Sequence, residues 1–193
     1  MSTYQLPDYK ARYFECKTLT KIHGKPTMDS ILQVYKELKR NAQQVPTTLG
    51  GGQLGYLALV LSETAYAAIP GAAAFLRPTD PGPFTLTQNP TPPVTRNNPN
   101  PVPPPLTASD ISVQKSAYDE LKRLYNECQA VELTLRNQLV KAVEPEYLQA
   151  LRNTSTDMII GTIPTIISYL IRVYGKMSKL ELLTREQNLT TMT

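Results

Sequence analysis

Apolar residues return at helical spacing along most of the chain, and nowhere do they alternate with polar ones as a half-buried strand requires. Residues 27–40 place Ile31, Val34, Tyr35 and Leu38 on one stripe, and Pro26 precedes a Thr27 cap. The strongest pattern is Ala117, Leu121, Leu124, Cys128, Val131, Leu135 and Ala142, flanked by Tyr118, Tyr125 and Leu139, with Gln138 as the polar exception. Thr107-Ala108-Ser109-Asp110 resembles a capping box with Asp in the place of Glu or Gln. The spacing therefore predicts a helix over residues 109–143, about 50 Å long at 1.5 Å per residue. Such a helix spans a core or forms a coiled-coil seam. Glu144-Pro145 ends it and opens a short further helix, since proline suits a first helical turn. Residues 163–174 are apolar on most sides, and Gly175 is placed to stop them. Even counted from Met158 to Ile171, that segment is broken by Gly161 and Pro164 and is too short for a membrane span. Ser178-Lys179-Leu180-Glu181 is a capping box that opens a last helix to about Leu189. The predicted fold is all-α.

Between the first two helices lies the most distinctive segment, residues 49–62, LGGGQLGYLALVLS. Gly50, Gly51, Gly52 and Gly55 suit a sharp turn or a close backbone approach. A phosphate loop would need Gly-Lys-Ser/Thr, and a dinucleotide fingerprint needs Gly-x-Gly-x-x-Gly between strand and helix. The run has no lysine and no preceding strand, so a structural turn is expected. It should let residues 54–61, read as a buried helix, pack on the long helix. Ser62 then caps a short helix through Ile69.

Proline marks the organisation. Twelve of the 17 prolines fall between Pro70 and Pro105, where Arg77, Asp80 and Arg96 are the charged residues. Residues 89–106, NPTPPVTRNNPNPVPPPL, hold too little apolar surface to fold alone and should form an extended, partly polyproline loop. The expected organisation is a partly extended N-terminal segment, 1–26, then a helical domain, 27–193, interrupted by a proline-rich loop at 70–107.

The net charge of +4 is concentrated: residues 1–45 carry eight Lys/Arg against four Asp/Glu, which accounts for all of it. Lys36, Lys39 and Arg40 cluster at the expected end of the first helix. They are candidate RNA contacts, or cations complementing the helix dipole. The charges are otherwise scattered, which predicts only weak, sequence-independent RNA binding.

Candidate chemistry is sparse. His23 has no second histidine for a metal site or relay, and Cys16 and Cys128 lack a Cys-x-x-Cys partner. Cys128 sits on the apolar stripe and reads as core. Glu144 and Glu146 flank a helix start, where carboxylates suit the dipole. The sequence nominates no catalytic, cofactor-binding or metal-ligating residue, and a non-enzyme with no small-molecule substrate is expected. No secretory signal precedes the cysteines, so a reduced, cytoplasmic location is expected. The sequons at Asn153 and Asn188 then carry no weight.

Residues 20–71, TKIHGKPTMDSILQVYKELKRNAQQVPTTLGGGQLGYLALVLSETAYAAIPG, resemble the N-terminal part of Gag-like polyproteins of copia-type LTR retrotransposons, in the branch common in marine and algal sequences. The matching pattern is Gly-Lys-Pro-Thr, a helix, Asn-Ala-x-x-Val, then Gly-Gly-Gly-x-x-Gly with an apolar run. Phe75-Leu76-Arg77-Pro78, Pro81-Gly82, residues 137–153, Gly161-Thr162-Ile163-Pro164, Tyr169-Leu170 and Tyr174-Gly175 extend it over roughly residues 18–190. The chain departs from the pattern in its Asn/Pro-rich stretch at 89–105, and it has neither a Cys/His zinc knuckle nor an Asp-Ser/Thr-Gly protease motif. The resemblance implies a helical domain like the N-terminal domain of retroviral capsids, a homo-oligomer that assembles into a shell. The alternatives are a helical adaptor, whose proline loop a partner reads, and a non-specific RNA-binding protein.

Overall fold

A computed structural model describes residues 8–50, 52–93 and 101–176 of the chain. The described residues form α1 (Tyr9–Tyr13), α2 (Met28–Gln44), α3 (Glu63–Ala67), α4 (Ala108–Ala142) and α5 (Ile163–Tyr174), joined by turns of 3-10 helix. Within those residues the only β feature is an isolated bridge between Arg152 and Ile159. The fold is all-α. The predicted last helix, from Ser178, and Gly51 lie outside the described residues.

Local sequence accounts for the helix starts. The Thr27 hydroxyl accepts from the Ser30 amide, and Ser30 Oγ accepts from the Thr27 amide at 2.9 Å, which closes a capping box. Thr107 and Asp110 reciprocate in the same way at the start of α4. Thr162 caps α5, and Pro164 occupies its first turn. Ser62 caps α3, which stops at Ala67. Glu144-Pro145 opens a 3-10 turn, Pro145–Leu151, rather than an α-helix.

The chain forms two compact units: Met1–Leu76 with Ala130–Thr193, and Arg77–Gln129. In the first, α2 packs on α5. Its core is made of Ile31, Val34, Leu38 and Ala42 from α2, Ile163, Ile166 and Leu170 from α5, and Val131, Leu135 and Leu139 from the end of α4. Burying a side chain of this size stabilises the fold by roughly 1.5–3 kcal/mol.

The glycine-rich segment differs from expectation. Residues 54–61 are not a continuous helix but two 3-10 turns, Gly52–Leu54 and Leu57–Leu59. They pack on α2. The cause is backbone geometry at two glycines. A Cβ on Gly55 (φ +51) would lie 2.5–2.7 Å from the carbonyl oxygens of Gln43, Val45 and Ala42. Next to it, the Tyr56 amide donates to Ala42 O at 2.9 Å, so the turn is seated on the last turn of α2. Gly50 (φ +95) is pressed against the carbonyl of Ala74, while Gly52 (φ +50) faces open space.

The second unit also departs from expectation. Residues 80–87, inside the predicted free loop, lie antiparallel along α4 as a strap. Asp80 meets Lys122 at 2.7 Å, the Tyr118 hydroxyl donates to Gly82 O at 2.8 Å, and the Gln114 amide exchanges two 2.8 Å hydrogen bonds with the Thr87 backbone. Gln114, Tyr118 and Lys122 stand four residues apart, so one helix face supplies all three partners. Beyond the strap, Asn89 Nδ2 donates to the carbonyls of Pro104 and Pro105.

Candidate interaction surfaces

The first unit presents a basic helix face beside a polar ladder. α2 turns Glu37, Asn41 and Gln44 toward residues 15–20. Asn41 Oδ1 accepts from the Cys16 amide at 2.9 Å, and its Nδ2 donates to Cys16 O and to Gln138 Oε1, both at 2.9 Å. Gln138 Nε2 then donates to the Cys16 and Lys17 carbonyls at 3.2 and 3.0 Å. Both buried amides are thereby fully satisfied, as burial of polar groups requires. Gln138, the polar break in the apolar stripe, was the one visible sequence signal of this network.

Glu37 is buried and accepts from the Thr20 amide (2.7 Å), the Thr20 hydroxyl (2.6 Å) and Gln33 Nε2 (2.7 Å). Burial pushes its carboxyl up, but the Thr20 and Gln33 hydrogen bonds and the Arg40 charge outweigh it and hold the carboxyl below the ordinary range. The Cys16 thiol is pushed up, first by burial and then by the charges of Glu37 and Glu15, with Arg40 opposing. That suppresses the thiolate a nucleophile or metal ligand needs.

Lys36, Lys39 and Arg40 share one face of α2, at the three- and four-residue spacing of helix neighbours. Lys36 is exposed, Lys39 Nζ lies 4.5 Å from the centroid of the Tyr35 ring, and the Arg40 guanidinium is 3.8 Å from Glu15 Oε1. These three residues do not stand at the helix end, where the sequence leads us to expect them. α2 continues to Gln44, and its last turn holds no basic residue. Asn41 and Gln44 lie in this extension beyond residue 40, and their side chains bond residues 15 and 16. The dipole effect fades beyond the last turn, so it does not explain this cluster.

A third feature of this unit is aromatic. Tyr174 meets Tyr147 and Tyr169 edge-on, with ring centroids 5.4 and 6.2 Å apart. The Tyr147 phenol is pushed up to about 12, chiefly by its hydrogen bond to Glu146.

In the second unit a groove of about 310 Å³ runs between strap and helix, walled by Pro81, Pro83, Phe84, Ala117, Tyr118 and Leu121. Phe84 and Tyr118 stand 5.2 Å apart, and Lys115 Nζ lies over both rings. Of the polar residues that line it, Thr85, Thr87 and Gln114, the Thr87 backbone and the Gln114 amide are bonded to each other.

Among the described residues no three His, Cys, Asp or Glu side chains are grouped to hold a metal ion, and no helix is long and apolar enough to cross a membrane. No known protein family, curated protein or solved structure matches the chain.

Proposed function

We propose that this is a structural, self-assembling protein, the capsid part of a Gag-like retrotransposon polyprotein, which forms cytoplasmic virus-like particles around the element's RNA. The observation that carries the reading is the all-α architecture built on one 35-residue helix. Two segments of the resemblance support it. Among the described glycines of the glycine-rich motif, Gly50 and Gly55 are those whose surroundings exclude a side chain. Gly161-Thr162-Ile163-Pro164 forms the capped start of α5.

In this reading the protein works through contacts between copies, each weak alone and effective through multivalency. The exposed cations of α2 give a weak, salt-sensitive affinity for RNA. Light scattering on the purified protein across salt concentrations tests the proposal. Association into species of defined high mass is expected, and a monomer at every concentration would remove it.

A further inference from the structure

The apolar stripe of α4 is covered over one half of the helix only. Val113, Ala117, Leu121, Leu124 and Cys128 continue, at steps of four and three, the register of Val131, Leu135, Leu139 and Ala142. Val131 and Leu135 are fully buried, whereas Val113 is 66% and Leu121 57% exposed. Among the described residues of the unit Arg77–Gln129, Cys128 in its last turn is the one that is buried. A helix and a strap with almost no buried side chain forgo the packing that normally holds a helix in water.

Charge narrows what can cover this face. Residues 77–129 carry five Lys/Arg (Arg77, Arg96, Lys115, Lys122, Arg123) and five Asp/Glu (Asp80, Asp110, Asp119, Glu120, Glu127), a net charge of zero. The cations of α4 here are matched locally: Lys115 with Asp119, Lys122 with Asp80, and Arg123 with Glu120 and Glu127. Nucleic acid or an acidic protein would be drawn by a positive field, which this face lacks. A surface that meets its own copy needs the absence of such a field, because identical charged patches repel. The groove beside Leu121 is walled by Pro81, Pro83, Phe84 and Ala117, and the Thr87 backbone and Gln114 amide at its edge already bond each other, so it suits apolar side chains.

We propose that this face, Val113, Ala117 and Leu121 with the groove walled by Pro81, Pro83 and Phe84, is where a second copy of the chain docks face to face. The pairing is isologous: each copy inserts its exposed apolar side chains against the groove of the other. Residues 108–128 span about 30 Å at 1.5 Å per residue. A helix face that long and about 10 Å wide falls well below the ~800 Å² per partner of a standard interface. The isolated pair is therefore weak and concentration-dependent. The inference rests on the self-assembly reading and names one of its contacts.

The test is sedimentation velocity of the full chain from micromolar to near-millimolar concentration, on wild type, Val113→Glu, Leu121→Glu and Met158→Glu. Met158 is 71% exposed and lies in the other unit. Wild type and Met158→Glu should associate alike, and the two α4 variants at least ten-fold more weakly. Association of the α4 variants equal to wild type overturns this contact and leaves self-assembly standing. Equal loss in all three variants also overturns it. A wild type that stays monomeric removes both. Hydrogen exchange on the wild type reads the contact without a variant: amides of residues 108–128 should gain protection with concentration, and a gain confined to other residues would refute it.

Discussion

Replacing Asn41 with leucine probes the joint that fastens residues 15–17 to α2 and α4. The side chain makes three hydrogen bonds, to the Cys16 amide, the Cys16 carbonyl and Gln138 Oε1. After substitution the Cys16 carbonyl keeps Gln138 Nε2, but the Cys16 amide and Gln138 Oε1 lose their partners. Each orphaned buried group costs about 1–3 kcal/mol. Cys16 is half-exposed, and leucine adds apolar contact, so the expected loss is about 3 kcal/mol, equivalent to roughly 6–12 °C in Tm for a chain of this size. Urea denaturation followed by circular dichroism measures it. A cycle with Gln138→Leu sharpens the test, because the double variant removes both amides that would otherwise be orphaned. Its loss should fall short of the sum of the two singles by about 1 kcal/mol or more. A single-variant loss under about 0.5 kcal/mol, or strict additivity, would refute the network as a stabilising element.

Three further outcomes follow from the same geometry. Gly55→Ala should destabilise much more than Gly52→Ala, because both lie at positive φ, costing about 1 kcal/mol or more for alanine, but only Gly55 faces three backbone carbonyls; equal losses in denaturant midpoint would contradict this. The Glu37 carboxyl is held below its unfolded value, so the unfolded chain binds more protons and stability rises with pH across that window. Its contribution is complete above the unfolded value near 4.3 and is lost as pH falls through the folded one, so Glu37→Gln should flatten the pH dependence of the urea midpoint below about pH 4, and an unchanged slope would refute the assignment. Neutralising Lys36, Lys39 and Arg40 together should weaken RNA binding and reduce its salt dependence in a fluorescence titration; unaltered affinity, or tight binding that survives high salt, would exclude the electrostatic account.

Helix starts were the most legible part of the fold, because capping is local chemistry: Thr27, Ser62 and Thr107 each announce one. Helix ends and partners were less so. Asn41-Ala42-Gln43-Gln44 looks like a polar exit from α2 because its hydrogen-bond partners lie 25 or more residues away. The apolar run after the glycines looked helical, yet positive φ at Gly52 and Gly55 breaks it into 3-10 turns. Proline content correctly marked residues 80–87 as non-helical. It could not reveal the strap, whose hydrogen-bond partners Gln114, Tyr118 and Lys122 lie on a helix more than 25 residues away, with Tyr118 read there as a flank of the apolar stripe. Periodicity gave the α4 stripe over its whole length, but an apolar face does not state what covers it, which is why Leu121 and Leu135 looked alike in sequence and differ in burial.

Electron microscopy of the purified full chain across salt concentrations tests the central claim most directly. A shell built from weak, repeated contacts between copies predicts closed particles of uniform size, assembling above a threshold concentration. Discrete monomers or dimers at every salt and protein concentration would contradict the capsid account.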